Sequence, residues 1–168
     1  MKSMYNIKIS YIWDKNTYLK ATKIAYDYEL KHSPKRFLGW IFIAMSQFGV
    51  VQAIKGGESG LLLLSSLLIL YWYYLRWEIR KSILIKNFNK SPNANHQFKI
   101  EVNENGLKID NNLIEWSKIL EVVSLKSGFL LYYDTTFLFL PLGGFKDIEE
   151  KSKFSSLAKS KVKNYKKE

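Results

Sequence analysis

Two apolar runs without a single charge, separated by five residues, limit what this chain can fold into more than any other feature. The first, Phe37–Ile54, reads FLGWIFIAMSQFGVVQAI, and the second, Gly60–Leu75, reads GLLLLSSLLILYWYYL. As a helix the first is about 27 Å long, close to the roughly 30 Å of a bilayer's hydrocarbon core. Both are apolar on every face, and a small soluble domain would struggle to cover such helices. The connection Lys55-Gly56-Gly57-Glu58-Ser59 has room only for a tight turn, so the two helices are expected to lie antiparallel. The mean hydropathy of -0.17 conceals this concentration, because the remainder of the chain is rich in Lys, Asn and Ser.

Charge follows the same division. Residues 1–36 carry eight Lys/Arg against three Asp/Glu, residues 76–168 carry seventeen against eleven, and the inter-helix loop carries one of each. Basic residues therefore flank the apolar block on its outer sides, the pattern of segments that stay cytoplasmic. The reading is a transmembrane hairpin over 37–77, with spans at 37–54 and 60–77 and both termini cytoplasmic. Lys35 and Arg36 precede the first span. Trp72, Arg76, Trp77, Arg80 and Lys81 stand at the exit of the second, where an aromatic belt followed by cations suits the headgroup layer. These seven are the candidate lipid-contact residues. Ser46, Gly49 and Ala53 form a small-residue stripe on the first helix, with Ser65 and Ser66 as matching positions on the second, as close helix packing requires. The runs 37–54 and 60–75 hold no Asp, Glu, Lys, Arg or His, which weighs against a proton relay or ion pathway.

The net charge of +11 raises the possibility of nucleic acid. Yet the aromatics that would stack on bases are taken up by the core and the membrane interface, and no nucleic-acid partner is expected. Cysteine is absent and only His32 and His96 are present, so disulfides, thiolate metal sites and His-rich metal sites are excluded. No cofactor is expected. The polar start, more than thirty residues long, leads us to expect no cleavable secretory signal.

Outside the hairpin, residues 5–13 alternate as a strand and Asp14 suits a helix cap. Leu19, Ile24, Ala25, Tyr28 and Leu30 give Lys15–Leu30 an imperfect apolar face. Residues 1–36 thus read as a cytoplasmic strand plus amphipathic helix lying near the membrane. The helix after the second span is expected to reach Ile85 or Phe88, and 87–96 reads as a Pro/Asn-rich linker. From Gln97 the period changes to two. FKIEV, an Asn105-Gly106 turn and LKI make a hairpin, then LIEW, Ile119–Leu125, Gly128–Tyr133 and FLFLP follow, with turns at 110–112 and 134–136. A C-terminal helix over Lys146–Tyr165 closes a domain at 97–168. Six or so short strands would form one curved, barrel-like sheet plugged by that helix.

The order hairpin, Trp116, Ile119, Gly128-Phe129-Leu130-Leu131, Leu140-Pro141, Phe145 and helix resembles the C-terminal domain of the YcxB-like family. Lys31-His32-Ser33-Pro34 before the first span, and the hairpin itself, resemble that family too. The resemblance implies a bacterial inner-membrane protein, multi-pass, with a pleckstrin-homology-like (PH-like) domain and no established activity. Leu142-Gly143-Gly144 stands where family members carry a basic pair, so a role resting on that pair is not carried over. The expected fold class is accordingly an α+β membrane protein: an N-terminal strand and amphipathic helix, a two-helix transmembrane hairpin, and a small antiparallel β-sheet or barrel with a C-terminal helix.

No constellation for catalysis survives inspection. Ser156-Leu157-Ala158-Lys159 matches Ser-x-x-Lys but has no partner motifs. Glu101, Glu104, Glu115 and Glu121 read as solvent-facing alternates of strand lysines, and Trp116 as a core anchor. Gly143-Gly144 reads as a turn, and His32 as an interfacial polar residue. The function expected is non-enzymatic: an inner-membrane protein presenting a small module to lipid headgroups or to an unidentified protein partner, self-association included. An immunity protein against a membrane-active toxin is the alternative.

Overall fold

The computed structural model of the protein describes residues 6–168, apart from the Lys35 and Arg36 side chains. Met1–Thr17 and Asn93–Glu168 belong to one compact unit, and Tyr18–Pro92 form a second. The fold is α+β.

The helical unit is built on α2 (Lys35–Gly56) and a helical run comprising α3 (Ser59–Leu70), a π-helical turn at Tyr71–Leu75 and α4 (Arg76–Lys90). Both α2 and the run from Ser59 are long and apolar enough to cross a membrane. The turn between them is set by Gly57, whose φ of 71° is costly for a side chain bearing Cβ. Glu58 N–H reaches back to the Ala53 carbonyl at 3.0 Å, closing a Schellman-type end. The expected small-residue stripe, except for Ser66, which is exposed, is the packing seam: Ser46, Ala53 and Ser65 are buried, and a Cβ at Gly49 would collide with Ser65 Oγ. Ser46 Oγ turns back to donate to the Phe42 carbonyl at 2.9 Å, so its hydroxyl is satisfied within its own helix.

Helix α1 (Lys15–His32) leads towards α2. Asp14 accepts the Thr17 N–H at 2.7 Å, the cap expected from its position. Its buried stripe is Ala21, Thr22, Ala25 and Tyr28, so the helix face is rotated from the one read in the sequence: Leu19, Ile24 and Leu30 are only half-buried. Small residues at three- and four-residue spacing let α1 pack closely, a stronger determinant here than its larger apolar side chains. Helix α4 runs to Lys90, two residues beyond the furthest end expected.

The other unit contains two four-stranded sheets, rather than one curved sheet. The first has the order β1 (Ile7–Ile12), β2 (Gln97–Val102), β3 (Gly106–Ile109) and β4 (Asn112–Glu115), all antiparallel. The N-terminal strand thus belongs to the C-terminal domain, pairing Ile7 with Val102 and Ile9 with Ile100 across 90 or more intervening residues. Tyr5, the first residue expected in that strand, lies outside the described residues. The second sheet has the order β7 (Thr136–Pro141), β6 (Gly128–Tyr133), β5 (Ile119–Leu125) and β8 (Tyr165–Lys167). Strand β8 is parallel to β5 and takes the place of the last turn expected in the C-terminal helix. Helix α5 (Ile148–Lys161) ends earlier because Val162 leaves helical backbone at φ -105°, ψ 136°, and Asn164 O then accepts the Val122 N–H at 2.9 Å.

One core joins both sheets and α5. Phe154 is wholly buried at its centre, with ring centroids 4.8 Å from Phe129, 5.7 Å from Phe145 and 6.3 Å from Trp116. Trp116 is buried as expected and donates its indole N–H to the Asn103 carbonyl at 2.9 Å. That bond ties the β2–β3 turn to the start of β5. The turn itself is an Asx turn in which Asn103 Oδ1 accepts from Asn105 and Gly106. Gly106 is needed for space rather than for left-handed backbone: a Cβ there would strike the Ile114 carbonyl. The left-handed positions of the later hairpins are Asp110 and Asp134, each at φ 50°.

Phe154→Ala should cost about 3–5 kcal/mol by loss of a fully buried ring, read from urea unfolding monitored by near-UV circular dichroism. The Thr17 hydrogen bonds hold the Asp14 carboxyl below its usual range. Its contribution is therefore present above about pH 4 and is lost as pH falls through the lowered folded value. Asp14→Ala should cost about 1 kcal/mol near neutrality and abolish that acid-side component, measurable by unfolding across pH.

Candidate membrane-interface site

Beside the π-helical turn at Tyr71–Leu75, cations and aromatic rings from several helical segments converge. Arg76 N–H bonds to the Tyr71 carbonyl, one residue further back than in an α-helix, which widens the turn. Trp72 lies over α2 at Gly39, where a Cβ would come within 2.6 Å of the indole, and its ring centroid is 5.3 Å from Phe42. Gly39 is thus the recess that seats Trp72. The Arg76 guanidinium lies 4.4 Å from the centre of the Trp72 ring and 5.2 Å from that of Tyr26 on α1. One helical turn on, Arg80 lies 4.3 Å from the Tyr26 ring. Trp77 faces Tyr26 at 6.3 Å and receives Lys23 Nζ at 5.1 Å. Such cation–π contacts contribute roughly 0.5–1 kcal/mol at exposed sites and more when desolvated.

Four of the seven residues singled out in the sequence are brought together here: Trp72, Arg76, Trp77 and Arg80. Lys81 is not part of the cluster, because its ammonium turns along α4 to Glu78 at 3.6 Å. Lys35 and Arg36 have side chains outside the described residues. Sequence reading missed the α1 contribution, Lys23 and Tyr26, and the reason Gly39 is glycine. Tyr26 sits off the buried stripe of α1, so no periodicity distinguishes it from a surface tyrosine.

Two clefts flank this cluster. One, of about 670 Å³, is lined by Tyr26, Glu29, Ser33, Phe42, Trp72 and the two arginines among others. The second, of about 400 Å³, is lined by Leu30, Trp40, Ile43, Trp72 and Tyr73 together with Asp27, Lys31 and Arg76. Elsewhere the sequence candidates separate. His32 donates through Nδ1 to the Tyr28 carbonyl at 2.9 Å, and His96 Nε2 lies 3.2 Å from Asp110. Ser156 and Lys159 are exposed on α5. Glu101 pairs across strands with Lys8 at 3.9 Å, and Glu121 with Lys166 at 2.6 Å. Among the described residues no three His, Cys, Asp or Glu side chains group as a metal site.

No family model, curated protein or solved structure matches this chain.

Gly39→Val should displace Trp72 and cost about 1–3 kcal/mol through overpacking, visible as a lower thermal midpoint and an altered near-UV tryptophan signal. Gly60→Ala, where a Cβ meets nothing within 4 Å, should leave both unchanged.

Proposed function

We propose that this protein is an integral membrane protein in which the α2–α3 hairpin anchors a non-enzymatic binding module at the cytoplasmic face. The observation that carries this reading is the uncovered apolar surface of the two helices. Met45 is 70% exposed, Ile54 67% and Leu63 64%, while the buried positions lie along the Ser46–Gly49–Ala53 seam. Monomeric soluble proteins rarely leave contiguous apolar patches beyond a few hundred Å² in water. In lipid the same surface is at rest, and helix association then depends on close packing at small residues, as along this seam.

The charge distribution supports cytoplasmic flanks, with Lys55 and Glu58 cancelling in the turn. The two-sheet unit supports a binding role: its strands place Glu101, Lys99 and Lys108 on an exposed face and keep reactive groups apart. The YcxB-like resemblance of Trp116, Gly128–Leu131 and Leu140-Pro141 is consistent with a PH-like module offered to lipid headgroups or a protein partner. Fold alone does not decide between these.

The absence of cysteine makes single-cysteine mapping direct. Glu58→Cys should react with a membrane-impermeant maleimide added to intact spheroplasts, and Lys126→Cys, in the β5–β6 turn, only after permeabilisation. The protein should also stay in the pellet after alkaline carbonate extraction. Equal labelling of the two positions would overturn the topology, and release by carbonate would overturn the anchor.

A further inference from the structure

Arg76 and Arg80 differ from the other cations around them. Lys23 pairs with Asp27 at 3.0 Å and Lys81 with Glu78 at 3.6 Å, whereas neither arginine has an ion-pair partner among the described residues. Each guanidinium instead faces an aromatic ring. Among the described residues no hydrogen bond or ion pair occupies the N–H donors of either guanidinium, and those donors match the oxygens of a phosphate. Side chains at i and i+4 lie on the same helix face, so the two forks can serve one anion.

The cleft of about 670 Å³ beside them is lined by both polar and apolar side chains. Glu29, Ser33 and the guanidinia supply the first, and Leu38, Phe42 and Trp72 the second. Leu38 is also 66% exposed at the start of α2. An amphiphile with a phosphate at one end and a hydrocarbon chain at the other fits this polarity. Two guanidinium charges against one carboxylate leave the rim net positive, which favours an anionic phosphodiester over a zwitterionic one. Glu29 offers acceptors to a headgroup that carries hydroxyls.

We propose that this cleft binds one anionic phospholipid, with its phosphate between Arg76 and Arg80 and an acyl chain along Leu38 and Phe42. The assignment rests on the membrane reading above, and goes beyond it by replacing diffuse attraction to the headgroup layer with one site. The π-helical turn and Gly39 matter to it through Trp72, which forms the floor under Arg76.

The test uses the full chain purified in a neutral detergent, with dioleoyl phosphatidylglycerol, dioleoyl phosphatidylcholine or inorganic phosphate added, and native mass spectrometry to count bound lipid. One phosphatidylglycerol should be retained, phosphatidylcholine should wash away, and millimolar phosphate should not compete. The double variant R76Q/R80Q should lower retention about tenfold or more, given charge-assisted bonds from both forks, while K86Q/K90Q, with the same charge loss on the same helix, should match the wild type. Equal retention by R76Q/R80Q would refute the site. An equal loss in K86Q/K90Q would reduce it to general electrostatics, and competition by phosphate would make it a soluble-anion site instead. If R76Q/R80Q does not fold by circular dichroism, R80Q carries the same comparison, since Arg80 is exposed. Carbonate extraction separates the two levels: release from membranes defeats the anchor, whereas membrane residence without lipid retention defeats only the cleft.

Discussion

The packing seam between α2 and α3 is the interaction on which the helical half of this molecule depends. Gly49 and Ser65 meet so closely that a methyl group on Gly49 would force the Ser65 hydroxyl aside. Ser46 and Ala53 continue the same line. Contact this tight yields dispersion energy along a narrow strip and leaves large side chains such as Met45, Phe48, Ile54 and Leu63 exposed. Leu, Ile, Phe and Trp are thereby committed to whatever surrounds the pair. In water that arrangement carries a large apolar cost, at roughly 25 cal/mol for each Å² left uncovered. In hydrocarbon it carries none. The geometry of the seam and the proposed membrane setting are one argument seen from two sides.

At the far end of α3 the demands change. Tyr71–Leu75 must still be apolar enough to follow the span, yet Arg76 and Arg80 must reach a polar surrounding. The π-helical turn inserts one extra residue into the helical ring and lets Trp72 settle into Gly39. Arginine faces then rest on Trp72 and Tyr26. Cation–π contact of this kind takes the place of part of the hydration shell. The site is thus a transition in polarity built from side chains, and α1 completes it by supplying Tyr26 and Lys23.

The two-sheet unit obeys a different logic. Its first strand is separated from its second by the entire helical segment, so the sheet closes only when both ends of that segment have been formed. Long-range pairing of this kind folds slowly, because loop closure precedes the reward of contact. An antiparallel hairpin eases the problem by returning the chain to the side from which it left. Short connections at the β3–β4 and β6–β7 hairpins, with Asp110 and Asp134 in left-handed backbone, keep the remaining contacts local.

How much of this was written in the sequence follows from which signals are local. The apolar runs, the Gly57 turn, the small-residue stripe and the hairpin strands each depend on neighbours a few residues away, and their periodicity or composition declares them. The grouping of Trp72, Arg76, Trp77 and Arg80 was legible for the same reason, since a belt of aromatics followed by arginines is a local pattern. The pairing of Ile7 with Val102, the division into two sheets and the strand at Tyr165–Lys167 were not legible. Tyr165 fits a helical face as well as a strand, and only Val122 and the Ser155 hydroxyl, 2.6 Å from the Tyr165 hydroxyl, decide between them. Nor does anything near Tyr26 or Gly39 announce an arginine or an indole from the next helices. Sequence determines which segments are apolar, where they turn and which face they offer. Tertiary structure decides which faces meet, because contact between residues distant in the chain depends on shape complementarity that no single segment contains.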